Sequence, residues 1–268
     1  MALYDIDAKR IESQLSNNRY FQRFIYLDET YSTQVYLKNL AKETFGAIAL
    51  AETQSNGRGR QGRSWQSVKG KNLTFSILLH PNIKPTEAQL ISLTAGMAMK
   101  KTLTEICRTE FHLKWPNDIL CGGKKICGII TEAASTADRI LYAVTGIGLN
   151  VNMERSEIPK ELSDIATSLA IEAGKKYSRE DVLLKFICNF SEYIALFNSC
   201  DTAAIIDSYR KQCDTIGRTV RVICDDKTLY GRACGITDEG AIIIKTDQGT
   251  MTFAAADIVH LRMHDTAE

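Results

Sequence analysis

The hydrophobic and polar positions of this chain change periodicity several times, and each change predicts an element. Short apolar runs rich in branched and aromatic residues predict strands over residues 21–27, 46–51, 73–79, 111–115, 125–133 and 140–151, with Gly122 and Gly123 making a hairpin turn before the fifth. Helical spacing predicts helices over residues 7–15, from Thr30 or Ser32 as cap to residue 42, and from Pro85 to about residue 107. In the last of these, Leu90, Leu93, Met97 and Leu103 share a face, and Thr86 with Gln89 forms a capping box. Further helices follow over residues 165–173, 179–197 behind a Ser178 and Asp181 cap, and 202–212. After Gly217 the texture shifts to five short strands, over residues 219–224, 228–236, 241–245, 251–254 and 258–262. Polar turns such as Asp225-Asp226 separate them, and the pattern reads as a small barrel. The fold class is therefore α+β. It divides into residues 1–215, including a short N-terminal extension over 1–20, and a small β domain over 216–268.

A chain of 268 residues is long enough for a substantial core, and a formal net charge of +1 carries no global nucleic-acid footprint. The N-terminus has no basic region followed by an apolar core, and no segment reaches the length of a bilayer span, which predicts a soluble cytoplasmic protein without a membrane partner. The eight cysteines are scattered without a Cys-x-x-Cys pair or a nearby histidine, so they read as reduced structural thiols and no metal ligands are assigned.

Candidate chemistry concentrates in the stretch Gly57-Arg58-Gly59-Arg60-Gln61-Gly62-Arg63-Ser64-Trp65. Glycines let backbone amides approach an anion, arginines meet phosphate in fork geometry, and an indole face stacks on a purine. The three glycines also satisfy G-x-G-x-x-G, and the stretch nearly satisfies a P-loop. Both patterns need a helix at their end, whereas residues 66–72 are loop and residues 73–79 strand. A connection of this length between two strands is uncommon and is usually functional or disordered. Lys114-Trp115-Pro116-Asn117-Asp118 ends a strand either as a plain turn or by handing a lysine to a ligand. Lys124 and Lys125 follow. Gly146 and Gly148, inside an apolar strand that runs on to Asn150 and Asn152, mark a bulge, helix packing or a close approach to a ligand.

Taken in order, Ser32-Thr33-Gln34, residues 57–65, Lys114 to Asp118 with Lys125-Ile126-Cys127-Gly128, and residues 146–152 resemble the biotin protein ligases over nearly the whole chain. The resemblance implies a mixed-sheet catalytic domain like those of class II aminoacyl-tRNA synthetases and lipoate ligases, a Src-homology-3-like C-terminal barrel, and the short form without a DNA-binding extension. It implies activation of biotin by ATP to biotinyl-5'-AMP, with Mg²⁺ accompanying ATP, and transfer to a lysine of a biotin carboxyl carrier domain. Carried over by position, Ser32, Thr33, Gln34, Gln54, Gly57, Arg58, Gly59, Arg60 and Lys114 bind biotin. Arg58, Arg60, Arg63, Trp65, Lys114, Asn117 and Asn150 bind ATP, Lys114 and Arg58 are catalytic, and Asp118 and Lys125 position the reacting groups. The chain departs from the pattern at Gln34, Gln61 and Thr131. The barrel either caps the catalytic domain or takes part in docking and closure, and a homodimer is one of the oligomeric states left open. The rivals are a lipoate-type ligase and an RNA-binding module; the near-neutral charge and lack of an RGG tract count against the second.

Overall fold

A computed structural model describes residues 6–199, 201–224 and 227–260. Its center is a seven-stranded sheet of β1 (Arg23–Thr30), β2 (Ala47–Gln54), β3 (Asn72–Leu79), β4 (Phe111–Lys114), β5 (Asp118–Cys121), β6 (Lys124–Ser135) and β7 (Ile140–Asn150), in the order β1-β2-β3-β7-β6-β5-β4. β1 and β2 are parallel, joined by helix α2 (Thr33–Leu40), and every other neighbouring pair is antiparallel. A parallel pair needs such a crossover, so the sheet is mixed as expected.

Strand alternation decides what each face does. Phe75 and Ile77 of β3, Ile147 of β7, Ile129 of β6 and Leu50 of β2 point to one face and belong to the main core, with helices α3 (Ala88–Ile106) and α5 (Arg179–Asn198). Phe75 meets Phe186 edge-on with ring centroids 5.5 Å apart, and Phe186 stacks on Phe190. Truncating either buried ring costs about 3–5 kcal/mol in such a core. On the opposite face Leu37 and Ala41 cover Ala47, Ala49, Leu78 and Val144 in a second, smaller cluster.

Three sequence expectations are corrected here. The chain after Pro116 forms a separate strand, β5, so the Gly122-Gly123 turn joins β5 to β6 rather than following β4 directly. The helix expected over 165–173 is α4 (Leu169–Ala173) alone, started by the Ser168 hydroxyl accepting from the Ile171 amide. The capping box expected at Thr86 and Gln89 lies elsewhere: the Glu87 carboxylate accepts from the Lys84 amide at 2.9 Å, across a 3-10 turn that precedes α3. The Ser178 cap forms as expected, accepting from the Asp181 amide. Helix α1 (Ala8–Leu15) buries Ile11 and Leu15 and ties to α5 through the Asp7 amide and Arg10 on Glu180, so this part of the N-terminal stretch is packed.

After α6 (Thr202–Gln212) come β8 (Thr219–Cys224), β9 (Lys227–Ile236), β10 (Ile242–Thr246), β11 (Gly249–Phe253) and β12 (Asp257–His260). They form a five-stranded antiparallel sheet ordered β11-β10-β9-β8-β12. The Asp225-Asp226 turn and residues 261–262 of the last expected strand lie outside the described residues. The buried Trp115 seats this sheet on the larger one: its Nε1 donates to the Gly240 carbonyl at 2.8 Å and its amide donates to the Thr215 hydroxyl at 3.0 Å. The six cysteines whose side chains are described are free, and burial pushes Cys121 up to about 12, which keeps it a thiol. Among the described residues no helix is long and apolar enough to cross a membrane.

One buried ion pair lies between the sheet and α5. Arg179 donates to both Glu52 oxygens at 2.9 Å and to the Asn72 carbonyl at 3.1 Å, while Glu52 also accepts from the Gly70 amide and the Tyr26 hydroxyl. Burial alone would raise the Glu52 carboxyl; the Arg179 guanidinium and these donors outweigh it and leave the group below its ordinary value. The pair anchors Gly70 and Asn72, where the long connection re-enters β3. We expect Arg179→Leu, which strands a buried carboxylate, to lower stability by about 3–5 kcal/mol in urea denaturation. With the folded Glu52 value depressed, the stability it contributes is present above the unfolded carboxylate value and is lost as pH falls through the folded one, so the Glu52→Gln variant has a flatter acid limb.

Candidate ligand site

The face of the sheet left open beyond α2 is built of small side chains. Register sets Gly128 of β6 against Gly148 of β7, Gly148 against Thr74 of β3, and Thr74 against Ala51 of β2; one row along, Gly146 faces Ser76, which faces Ala49. Side chains of this size leave a floor that another group can lie on. A Cβ at Gly148 would stand 2.2 Å from the Trp65 ring, and one at Gly146 would stand 2.8 Å from the Gln34 side chain. Of the alternatives the sequence left open for these glycines, Gly146 therefore serves helix packing and Gly148 a close approach by the arginine stretch. Between floor and loop lies a cavity of about 50 Å³.

One wall of the cavity is polar. Gln54 Oε1 accepts from the Thr33 amide at 2.7 Å and from the Thr33 hydroxyl at 3.0 Å, and the Thr33 and Ser76 hydroxyls are 2.7 Å apart. Ser32 occupies the N-cap position of α2, yet its hydroxyl makes no capping bond and the residue lines the cavity instead. A serine at an N-cap ordinarily accepts from the first turn, so this hydroxyl is left available to the site. Gln34 also lines the cavity, but its amide is committed, donating to the Ile130 carbonyl at 3.2 Å and the Val144 carbonyl at 3.3 Å.

The arginine stretch folds into a tight clasp. The Gly59 amide donates to the Arg63 carbonyl at 2.7 Å, the Trp65 amide donates to the Gly57 carbonyl at 2.8 Å, and Arg58 bridges Ser64. The three arginines of the stretch take different places. Arg60 reaches the cavity, where burial lowers its value against the opposing pull of Asp257 and Asp118, and its Nη1 is buried without a partner among the described residues. Arg58 lines the rim and is exposed. Arg63 pairs with Asp257 of β12, and Gly57, packed under the Trp65 carbonyl, does not line the cavity.

At the far end of β4, Lys114 faces Asp118 across the β4–β5 pair, outside the cavity lining. Burial lowers its value first, Asp118 opposes that, and Lys125 adds to it. Asp118 also lies outside the lining and pairs with Lys125 at 2.6 Å, and the Lys125 side chain crosses over Gly128 into the cavity. Asn117 lines the cavity with its amide donating to the Ile129 carbonyl at 2.9 Å. Asn150 is not at the cavity surface: its Oδ1 accepts from Asn72 at 2.8 Å and its Nδ2 donates to the Thr167 carbonyl at 2.9 Å, so both ends are committed inside the protein.

Thr74 and Ser76 line the site in addition to the residues expected there, as does Gly128, which the resemblance named only as part of its motif. The signal was present for the first two, since Asn72, Thr74 and Ser76 are the polar positions of an otherwise apolar strand and alternation puts them on one face. Asp257 and His260 of β12, and Thr215 of the turn between α6 and β8, carry no local signal. His260 bonds the Thr215 hydroxyl at 2.9 Å, and burial, with Lys114 and Arg218 beside it and Asp214 opposing, pushes it down to about 4.

A mixed sheet whose glycine-floored face is closed by an arginine clasp, with a small antiparallel sheet set against the lysine end, defines an α+β ligand-binding enzyme domain. The family model described as the biotin/lipoate A/B protein ligase family matches residues 26–152, and that described as the biotin protein ligase C-terminal domain matches residues 215–261. The chain is 35% identical to the bifunctional ligase/repressor BirA of Bacillus subtilis over 88% of this chain and 74% of that protein. It is 31% identical to a biotin--[acetyl-CoA-carboxylase] ligase of Mycobacterium tuberculosis over 81% and 80% respectively. A biotin protein ligase from Aquifex aeolicus, solved in complex with biotin and ATP, superposes with a TM-score of 0.76 at 30% identity, covering 90% of this chain and 100% of that one. The chain belongs to the biotin protein ligase family and is a ligase.

Two outcomes are expected. Gly148→Ala places a methyl group inside the indole, so Trp65 is displaced; tryptophan fluorescence shifts toward that of an exposed indole and ligand affinity falls about tenfold or more. His260 is neutral in the fold to about pH 4 but protonates near 6.5 when unfolded. Stability is therefore lost as pH falls from 6.5 to 4, by on the order of 3 kcal/mol in full. Urea midpoints at pH 4.5 and 7.5 should differ less for His260→Asn than for the parent.

Proposed function

We propose that this chain joins biotin to a lysine of a biotin carboxyl carrier domain in two steps at one site. In the first, a biotin carboxylate oxygen attacks the α-phosphorus of ATP and pyrophosphate leaves. In the second, the carrier's lysine amine attacks the acyl carbon, AMP leaves, and the amine gives up a proton. The observation that carries this reading is the polar wall of Ser32, Thr33, Gln54 and Ser76 set at one end of a floor of glycines. A ureido ring offers two N–H donors and a carbonyl to such a wall, whereas the dithiolane ring of lipoate offers no N–H or carbonyl. This chemistry favours biotin over the lipoate alternative that the family description also covers.

Arg60 and Trp65, which reach the floor from the clasp, close over the acyl and nucleotide portions, and Asn117 lines the same space. Arg58 sits at the rim, where its guanidinium meets the polyphosphate. Lys114, its ammonium discouraged by burial and by Lys125, interacts more strongly with an anion than an exposed lysine does, so negative charge developing on the carboxylate and α-phosphate is stabilised there. Asp118 holds Lys125 beside the floor at the position the incoming amine must reach. Gln34, Gly57, Gly59 and Asn150 act by shaping the pocket: the first packs on Gly146, the glycines permit the clasp, and Asn150 braces the β3–β7 end through Asn72 and Thr167. Arg63 holds the clasp to the C-terminal sheet through Asp257. An acyl-adenylate is a mixed anhydride that water destroys, and a clasp that seals the floor protects it. Magnesium enters as part of the nucleotide substrate. Residues 1–215 carry the reaction, and residues 216–268 buttress the lysine end.

Exchange of pyrophosphate into ATP, measured with magnesium and biotin, lipoate or octanoate as the acid, tests this directly. Exchange with biotin alone is expected; exchange with lipoate alone moves the assignment to the lipoate ligases, and none with any acid removes it. Lys114→Ala should keep its thermal midpoint while exchange falls on the order of 10²–10³-fold. Unchanged exchange in that variant would take Lys114 out of the mechanism.

A further inference from the structure

Thr74 stands in the middle of the floor, on β3 between Gly148 and Ala51, 4% exposed, and its hydroxyl has no hydrogen-bonding partner among the described residues. The other buried threonines are satisfied. Thr94 and Thr102 donate to carbonyls four residues back, Thr33 bonds Gln54 and Ser76, Thr145 bonds Thr131, Thr167 bonds Glu172, and Thr215 bonds His260 and the Trp115 amide. A buried hydroxyl left unmade opposes folding, and valine would fill the same space without that cost. The polar side chain at this position therefore needs a partner from outside the chain.

The surroundings define that partner. Arg60 and Trp65 line the same small cavity, and their Nη1 and Nε1 groups, which can only donate, are buried without a partner among the described residues. A hydroxyl and two donor-only groups converging on one space suit an oxygen acceptor. Thr74 is two residues along the strand from Ser76, about 7 Å from the polar wall. A ligand whose head engages Thr33, Gln54 and Ser76 thus runs its acyl portion over Thr74.

We infer that Thr74 is a substrate-binding residue whose hydroxyl donates to an oxygen of the acid's carboxyl group, alongside Arg60 and Trp65. This rests on the biotin-activating reading given above. Because the bond forms only with ligand present, the hydroxyl trades stability of the free protein for affinity. The two quantities consequently move in opposite directions when the hydroxyl is removed, which no purely structural role produces.

The test uses the full chain as wild type, Thr74→Val and Thr74→Ser, with biotin affinity from calorimetry, KM for biotin and for ATP from pyrophosphate exchange, and the thermal midpoint without ligand. The expected result for Thr74→Val is a biotin affinity about 3- to 10-fold weaker, a KM for ATP within twofold of wild type, and a midpoint equal or higher. Thr74→Ser, which keeps the hydroxyl, restores biotin affinity to within twofold. The inference is overturned if Thr74→Val binds biotin like wild type, if KM for ATP moves in place of KM for biotin, or if affinity and midpoint fall together, as a packing defect would cause. Wild-type protein with no biotin-dependent exchange would instead sink the underlying functional reading, so the two failures are distinguishable.

Discussion

The pairing register of β3 against β7 is the constraint on which the remaining structure rests. With Thr74 opposite Gly148 and Phe75 opposite Ile147, alternation sends large apolar side chains to the helices on one face and hydrogen, methyl and hydroxyl groups to the other. A slip of β3 by one residue would turn Phe75 into the cavity and strand Thr74 in the core, while Ile147 stayed on the helix side. The core and the site are thus the two faces of the same pairing. The apolar contacts of Phe75 and Ile147 with α3 and α5, including the Phe75–Phe186 edge contact, hold the site in register as well as stabilising the fold.

Polar interactions then fix what the apolar faces cannot. Glu52 and Arg179 tie α5 to the point where the arginine connection returns to β3, and Asn72 continues that line to Asn150 and Thr167. A bidentate pair in a dry environment has narrow geometric tolerance, so it sets direction more than it adds stability. At the other end of the site Trp115, Thr215 and His260 join the two sheets beside Lys114, and Arg63 joins the clasp to β12. Groups from the C-terminal sheet consequently contribute to the electrostatics of the lysine end: Asp257 raises Lys114, and Lys114 in turn lowers His260.

Much of the organisation was legible from local signals. Strand periodicity located β3 and β7 within a residue or two, helical spacing located α3, α5 and α6, and the Ser178 cap was readable from residue type alone. The misses have physical reasons. β5 is four residues long beside a Pro-Asn turn, too short for a periodic signal, and the true start of α3 uses a carboxylate on a 3-10 turn instead of the Thr86 box. Ser32 reads as a helix cap, but its hydroxyl makes no cap bond and lines the cavity, a difference that depends on what lies across from it.

Local sequence determined the element types, the two-sheet division, and the glycines, arginines and lysines from which a site of this chemistry is assembled. These follow from side-chain volume, backbone freedom and charge, which act within a few residues. Tertiary structure decided which of those groups share a space. It sent Arg60 inward, Arg58 to the rim and Arg63 to β12, committed both ends of Asn150, and brought Thr74 to the cavity that Trp65 also lines. Those assignments depend on strand register and on contacts between residues far apart in the chain, which no local pattern encodes.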